Sequence, residues 1–278
     1  MKNLTRRTRR NLFAAFLLTL MIFVLLPFVW LIVSSFKTNH EIFVGVPYAL
    51  PQQWNFDNYA TAWVRGGFGR LFWNSAAIAV IVVFLTLLLS APAGYAFAKM
   101  RFKGNDLLFY LCLFGMTIPI QAMIVPLYQL LQHLGLVNTL IGVALVQVGN
   151  GIPFGLFIMR NFFRSLPDEL VDSARIDGCG NFQIFGRVLL PLAVPAVSAL
   201  AIISALGTWN DFFLPLVVLI SPSVQTVPLG LVRFVDQFSA DQRLIFSGTV
   251  ISFIPIVILY VIAQKHFVQG LTQGALKD

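Results

Sequence analysis

The segment DELVDSARIDGCGNFQIFGRVLLP occupies 168–191. It is polar and charged, and it interrupts a chain otherwise built for lipid. A hydrophobic protein keeps such a loop when something outside the membrane must grip it, so the segment points to a partner. The spacing predicts a short amphipathic helix over 166–176. Ser165 is placed as its N-cap, and Pro167 fits the first turn, where a missing N–H is not needed. Asp168 and Glu169 suit the positive end of the helix dipole. Leu166, Leu170 and Ala174 recur at helical spacing and form one apolar face. Gly178 is positioned to end the helix in a left-handed conformation. Asn181 is then read as the cap of a second helix that runs through Arg187 into the next apolar run.

Either side of this loop the chain is strongly apolar. Of 278 residues, 58% are hydrophobic and 11% charged, with mean hydropathy +0.83. A soluble domain carries about 25% charged residues, so most of this surface faces hydrocarbon. One bilayer span takes about 20 apolar residues. Six runs qualify, near 12–36, 72–98, 107–131, 139–159, 190–220 and 244–264. The first is too long for a cleaved signal sequence and lacks a small-x-small cleavage site, so it is read as a retained helix. The expected fold class is an all-α polytopic membrane protein with six transmembrane helices and a cytoplasmic loop between helices 4 and 5. The expected domains are a basic N-terminus over 1–11, a membrane domain over 12–267 and a C-terminal tail over 268–278. Within the membrane domain, 37–70 is an outer segment and 161–189 the cytoplasmic loop.

The net charge of +8 follows from topology. Lys2, Arg6, Arg7, Arg9 and Arg10 crowd the start of the chain, and the positive-inside rule places them in the cytoplasm. Six crossings return the C-terminus to the same side. Of the 19 Lys and Arg, 14 then lie inside and 5 (Lys37, Arg65, Arg70, Arg233 and Arg243) outside. This distribution argues against nucleic acid as a partner. Cys112 falls mid-span and Cys179 in the loop, too far apart for a disulfide. No cysteine–histidine cluster suggests a metal site.

Several polar or helix-breaking residues fall inside the spans. Ser90, Gly94 and Ala98 are small and four apart, which lets another helix backbone approach closely. Pro119 and Pro126 each bend helix 3. Span 5 is too long for one straight crossing, and Pro191, Pro195 and Pro215 offer breaks. Gln121, Gln147 and Asn210 are candidates for a polar substrate path, with Asn150 and Asp211 nearby. Simple interhelical hydrogen bonding is the competing reading. Trp209 with Asp211 reads equally as the outer interface. The outer segment, rich in proline, asparagine and aromatics, reads as a structured cap or as a ligand contact.

The order Asp172-Ser173-Ala174, three residues, Gly178, nine residues, Val188-x-Leu190-Pro191 resembles the EAA motif of ATP-binding-cassette importer permeases at every interval. Asp172, Ser173 and Val188 stand where that pattern has Glu, Ala and Ile. Further matching segments are Asn74-Ser75, 93–98, Arg101-Phe102, Ile118-Pro119, 175–178, Trp209-Asn210 and 270–277. Together they resemble the carbohydrate-importer permeases, specifically the shorter permease of the maltose type. The resemblance implies a type I importer fold. It also implies two cytoplasmic ATPase subunits, a second and non-identical permease, and an extracytoplasmic sugar-binding protein. ATP and magnesium belong to the ATPase, so no cofactor is expected in this chain. The coupling residues it implies are Asp168, Glu169, Asp172, Ser173, Ala174, Asp177, Gly178, Leu190 and Pro191. The implied location is a bacterial or archaeal plasma (inner) membrane, with both termini cytoplasmic.

Two other classes fit the sequence less well. A self-sufficient secondary sugar carrier usually needs ionisable groups deep in its spans, and Asp211 is nearly alone there. A membrane enzyme would need a site. No phosphate-binding Gly-Lys-Ser/Thr loop occurs, and His40 and His133 lie opposite His266, so no catalytic residue is expected.

Overall fold

The computed structural model describes the backbone of 6–275 and the side chains of 8–261. The ends of the expected basic N-terminus and C-terminal tail lie outside the described residues. In chain order the helices are α1 (Arg6–Ser34), α2 (Asn39–Phe43), α3 (Asp57–Arg65), α4 (Phe68–Lys99), α5 (Asn105–Phe114), α6 (Ile124–His133) and α7 (Leu140–Ser165). There follow α8 (Glu169–Ile176), α9 (Asn181–Gln183), α10 (Leu190–Leu192), α11 (Val194–Asn210), α12 (Phe213–Val218), α13 (Val227–Gln237) and α14 (Gln242–Ala275). Four helices are long and apolar enough to cross a membrane, or up to six if each of two bent pairs is one span. The fold is therefore all-α and polytopic, as expected.

Both bent pairs have an identifiable cause. The segments Asn105–Thr117 and Ile120–His133 meet at 84°. Pro119, extended at ψ 132, sits at that corner. Pro126 falls in the first turn of α6, where a proline does not break the helix. The segments Asn181–Leu192 and Val194–Asn210 meet at 77°, between Pro191 and Pro195. Span 5 therefore departs from the expected 190–220: the apolar path begins earlier, bends at Ala193 and stops at Asn210. Asp211 is extended at ψ 120, and α12 is a separate short helix. The amphipathic α13 had no counterpart in the sequence reading.

The chain divides into two units. One comprises Met1–Phe68 with Leu231–Ile254. In it the outer segment is ordered around the end of α1. Asn58 is 2% exposed, and its amide donates to the carbonyls of Ser35 and Lys37 at 2.9 and 3.1 Å. Phe36 is ringed by Trp54, Phe56 and Tyr59. The Glu41 carboxylate accepts from the backbone N–H of Thr38 and of Gln52 at 2.8 and 2.7 Å. Those bonds hold it below the usual carboxylate range.

The other unit comprises Gly69–Gly230 with Pro255–Asp278. Its centre is the crossing of α4 and α7. A Cβ built on Gly94 would lie 2.5 Å from Met159 Cβ and 2.9 Å from Arg160 N. One built on Gly155 would collide with the Ser90 hydroxyl. The small residues of α4 thus let two backbones touch, as the spacing suggested. Asn74 and Ser75 tie the start of α4 to the chain after α12. The Asn74 amide donates to the carbonyls of Ser223 and Gln225 at 3.0 and 2.9 Å, and the Ser75 hydroxyl accepts from Val227 N at 2.9 Å.

The crossing yields a contrast that thermal unfolding in detergent can read. Gly94→Leu must force α4 and α7 apart and should cost about 1–3 kcal/mol, as overpacking does. Gly149→Ala, in α7, meets nothing within 4 Å. It should leave the melting temperature unchanged or raise it, by up to about 1 kcal/mol of stability. Equal effects from both variants would refute the close crossing.

Candidate functional site

The polar loop forms a helix seated on the membrane helices, with a bare turn at its far end. The helix α8 begins at Glu169 with Asp168 as N-cap, three residues later than the spacing suggested. Ser165 is not a cap: it is the last residue of α7, and its hydroxyl donates to Phe162 O at 2.7 Å. The reason is Pro167, which bars the preceding residue from helical geometry; Leu166 is extended at ψ 142. The apolar face holds. Val171 and Ala174 are buried, with Leu166 and Leu170 packed beside them on Tyr95, Met159 and Phe163.

One cation from the membrane helices anchors this region, and a second, Arg160, ties α7 to α5. Lys99, at the end of α4, has a side chain only 4% exposed. Its ammonium donates to Leu166 O at 2.6 Å and to the Asp168 carboxylate. That bond and the Lys99 charge hold Asp168 below the ordinary carboxylate range. Arg160 donates to Asp106 at 2.8 Å and stacks 3.9 Å over the Phe109 ring. From the sequence, Lys99 counts among the inner charges and, with Arg101 and Lys103, as an anchor of the short turn after α4. Its signal was the proximity of a lysine at one helix end to an acidic helix start, which becomes visible only once the helices pair.

The far end of α8 closes in a left-handed turn at Gly178, whose φ is +82°. Gly178 N donates to Arg175 O and Cys179 N to Ala174 O, at 3.0 and 2.9 Å. This is the paired-bond ending that satisfies the last carbonyls of a helix. Nothing lies within 4 Å of a Cβ at Gly178, so the glycine is required by backbone conformation alone. Gly180, not Asn181, precedes the next helix; its N–H donates to Oε1 of the Gln183 side chain at 3.0 Å. A π-helical turn over Ile184–Leu189 follows.

Of the expected coupling residues, Glu169, Asp172, Ser173, Asp177, Gly178 and Pro191 are exposed, Ala174 is buried and Leu190 is half-buried. Asp172 sits 3.7 Å from Arg175. Two residues were missed. Ile176 is 86% exposed and Phe182 is 91% exposed, one on each side of the Gly178 turn. In so apolar a chain nothing in composition marks a hydrophobic residue as exposed. The helical register could have found Ile176, which falls away from the Leu170–Ala174 face.

The second site is a cavity of about 400 Å³. Gln121, Gln147 and Asn210 all line it, together with Asn150, Thr86 and Asp211. The Gln147 amide donates to Asp211 Oδ2 at 2.6 Å. Asp211 Oδ1 accepts from Leu214 N at 3.3 Å, which caps α12. The Asn210 amide donates to Leu206 O of its own helix at 2.9 Å. The Trp209 ring packs edge-on against Phe72 at 5.8 Å. The residues read as a polar path therefore converge on one space. Interhelical hydrogen bonding is also present, in the Gln147–Asp211 pair.

A family model described as binding-protein-dependent transport system inner membrane component matches residues 90–273. The chain is 35% identical over 265 residues to the diacetylchitobiose uptake system permease protein NgcG of Streptomyces coelicolor, covering 95% of this chain and 87% of that protein. It is 37% identical over 254 residues to the arabinooligosaccharides transport system permease protein AraQ of Halalkalibacterium halodurans, covering 90% of each. Among solved structures, a bacterial ABC transporter involved in the import of the acidic polysaccharide alginate matches with a TM-score of 0.83. That match covers 96% of this chain and 100% of that one at 24% identity, and it speaks to the fold. With the model spanning well over half of the chain and such relatives along nearly its whole length, this protein belongs to the binding-protein-dependent transport system inner membrane component family.

Proposed function

We propose that this chain is a permease subunit of an ATP-driven importer for a sugar or oligosaccharide. A binding protein delivers the sugar from outside, a second permease completes the path, and paired ATPase subunits below supply ATP and magnesium. The relatives named for diacetylchitobiose and arabinooligosaccharides support the substrate class. The observation that carries the coupling is the bare surface around Gly178. Exposed Ile176 and Phe182 flank a turn hydrogen-bonded to the end of α8, and exposed apolar side chains on an otherwise polar loop mark an interaction surface. Asp172 and Asp177 supply a charged rim for a cationic partner. A self-sufficient carrier has no use for such a surface. Gln121, Gln147 and Asn210 form part of the sugar path in this reading, and both termini face the cytoplasm.

Cysteine labelling in intact cells tests the orientation. An impermeant reagent should mark a cysteine at position 48, where Tyr48 is 78% exposed, and spare one at position 182. Asn58 is buried and would be a poor reporter. Marking of position 182 from outside would invert the topology.

Coupling is tested by ATPase retention in purified membranes alongside sugar uptake. Phe182→Asp and Ile176→Asp should insert normally yet release the ATPase or leave it uncoupled. Gly178→Val should act in the same direction through its backbone, since a left-handed residue with a Cβ costs about 1–2 kcal/mol. Wild-type uptake in all three would show that this loop does not couple.

A further inference from the structure

The cavity beside α7 contains two polar atoms that the protein leaves unmatched. Thr86 is 0% exposed, yet its hydroxyl has no hydrogen-bond partner among the described residues. The same holds for Oε1 of Gln147. Buried polar groups are normally paired, and one left alone is destabilising. Both residues line the same cavity.

The chemistry of each atom is fixed by its neighbours. The Asp211 carboxylate can only accept, so it takes the NH₂ of Gln147 at 2.6 Å and turns the carbonyl oxygen away. What Gln147 presents is therefore an acceptor. The Thr86 hydroxyl can donate and accept. It faces Gly151, where an added Cβ would lie 3.5 Å from Thr86 Oγ1. With glycine at 151, no side chain of that residue packs on the buried hydroxyl.

We propose that Thr86 and Gln147 form a subsite for a hydroxyl of a neutral saccharide, which donates to Gln147 Oε1 and accepts from Thr86 Oγ1. A carboxylate does not fit. It has no proton for Gln147, it meets the Asp211 charge, and no lysine or arginine is among the described residues that line the cavity. Acidic sugars are accordingly excluded. The inference rests on the sugar-importer reading above and deepens it.

The test is uptake by cells that carry the full chain with its native partners. Labelled diacetylchitobiose, arabinobiose and maltose serve as neutral probes and digalacturonate as the acidic one. Rates are normalised to permease in the membrane by immunoblot. For whichever neutral probe requires the gene, Thr86→Val should lower Vmax at least fivefold with KM unchanged, because capture by the binding protein precedes this step. Thr86→Ser should keep at least half of the rate. Gly151→Ala, whose new Cβ makes only ordinary contacts, should lower Vmax by setting a methyl 3.5 Å from the hydroxyl where a sugar would approach it, and it carries the test if Thr86→Val is lost from the membrane. Gene-dependent uptake at wild-type Vmax in both Thr86→Val and Gly151→Ala would overturn the subsite alone. Uptake of every neutral probe without the gene would overturn the importer reading and the subsite with it. Gene-dependent uptake of digalacturonate would overturn the restriction to neutral sugars.

Discussion

Two helix backbones in contact at Gly94 and Gly155 set the frame for the larger unit. Lipid tails are as apolar as leucine side chains, so helices in a bilayer gain little from burying apolar surface. They associate by close packing and by hydrogen bonds, and close packing needs small residues. Where α4 meets α7, the glycines let Met159 and the backbone of Arg160 lie directly against α4. Everything functional in that unit hangs from the two ends of this crossing. Towards one end, Lys99 and the last turn of α7 create the seat for α8. Towards the other, Thr86 of α4 and Gln147 and Gly151 of α7 line the cavity.

Backbone satisfaction explains the irregular parts. A helix broken inside a membrane must find partners for its freed groups. At the 84° corner Pro119 lacks an N–H to be orphaned. At Asp211 the carboxylate caps the next helix and also binds Gln147. Asn138, at φ 61°, accepts from Ile220 N and Ser221 N at 2.9 and 2.8 Å. Each of these three departures from straight helix thus has a side chain or a proline assigned to it.

The sequence was most readable where the chain must do something only a few residues permit. Gly178 announced its left-handed turn and Pro119 its corner. The spacing around Gly178 resembled the family to which the chain proved to belong. Gln121, Gln147 and Asn210 were read as polar residues in apolar spans and converge on one cavity. Boundaries were less readable. Leu166 was counted into α8 because its side chain fits the apolar face, which it does, but the proline after it forbids the backbone from joining. Span 5 was drawn by hydropathy, which is blind to a bend at Ala193 and an end at Asn210. Phe182 and Ile176 were hidden for a general reason: exposure is a relation between residues, and a chain rich in phenylalanine gives no contrast against which a bare one stands out.

The Lys99 ammonium has two acceptors of different kinds. Leu166 O is a neutral carbonyl beside a shielded side chain; the Asp168 carboxylate is 80% exposed. Dissolved ions screen exposed charges far more than sheltered dipoles. Raising ionic strength therefore weakens one half of the joint and spares the other. The loop helix is fastened to the membrane part as a door to its frame: salt slackens the upper hinge while the lower one keeps the axis in place.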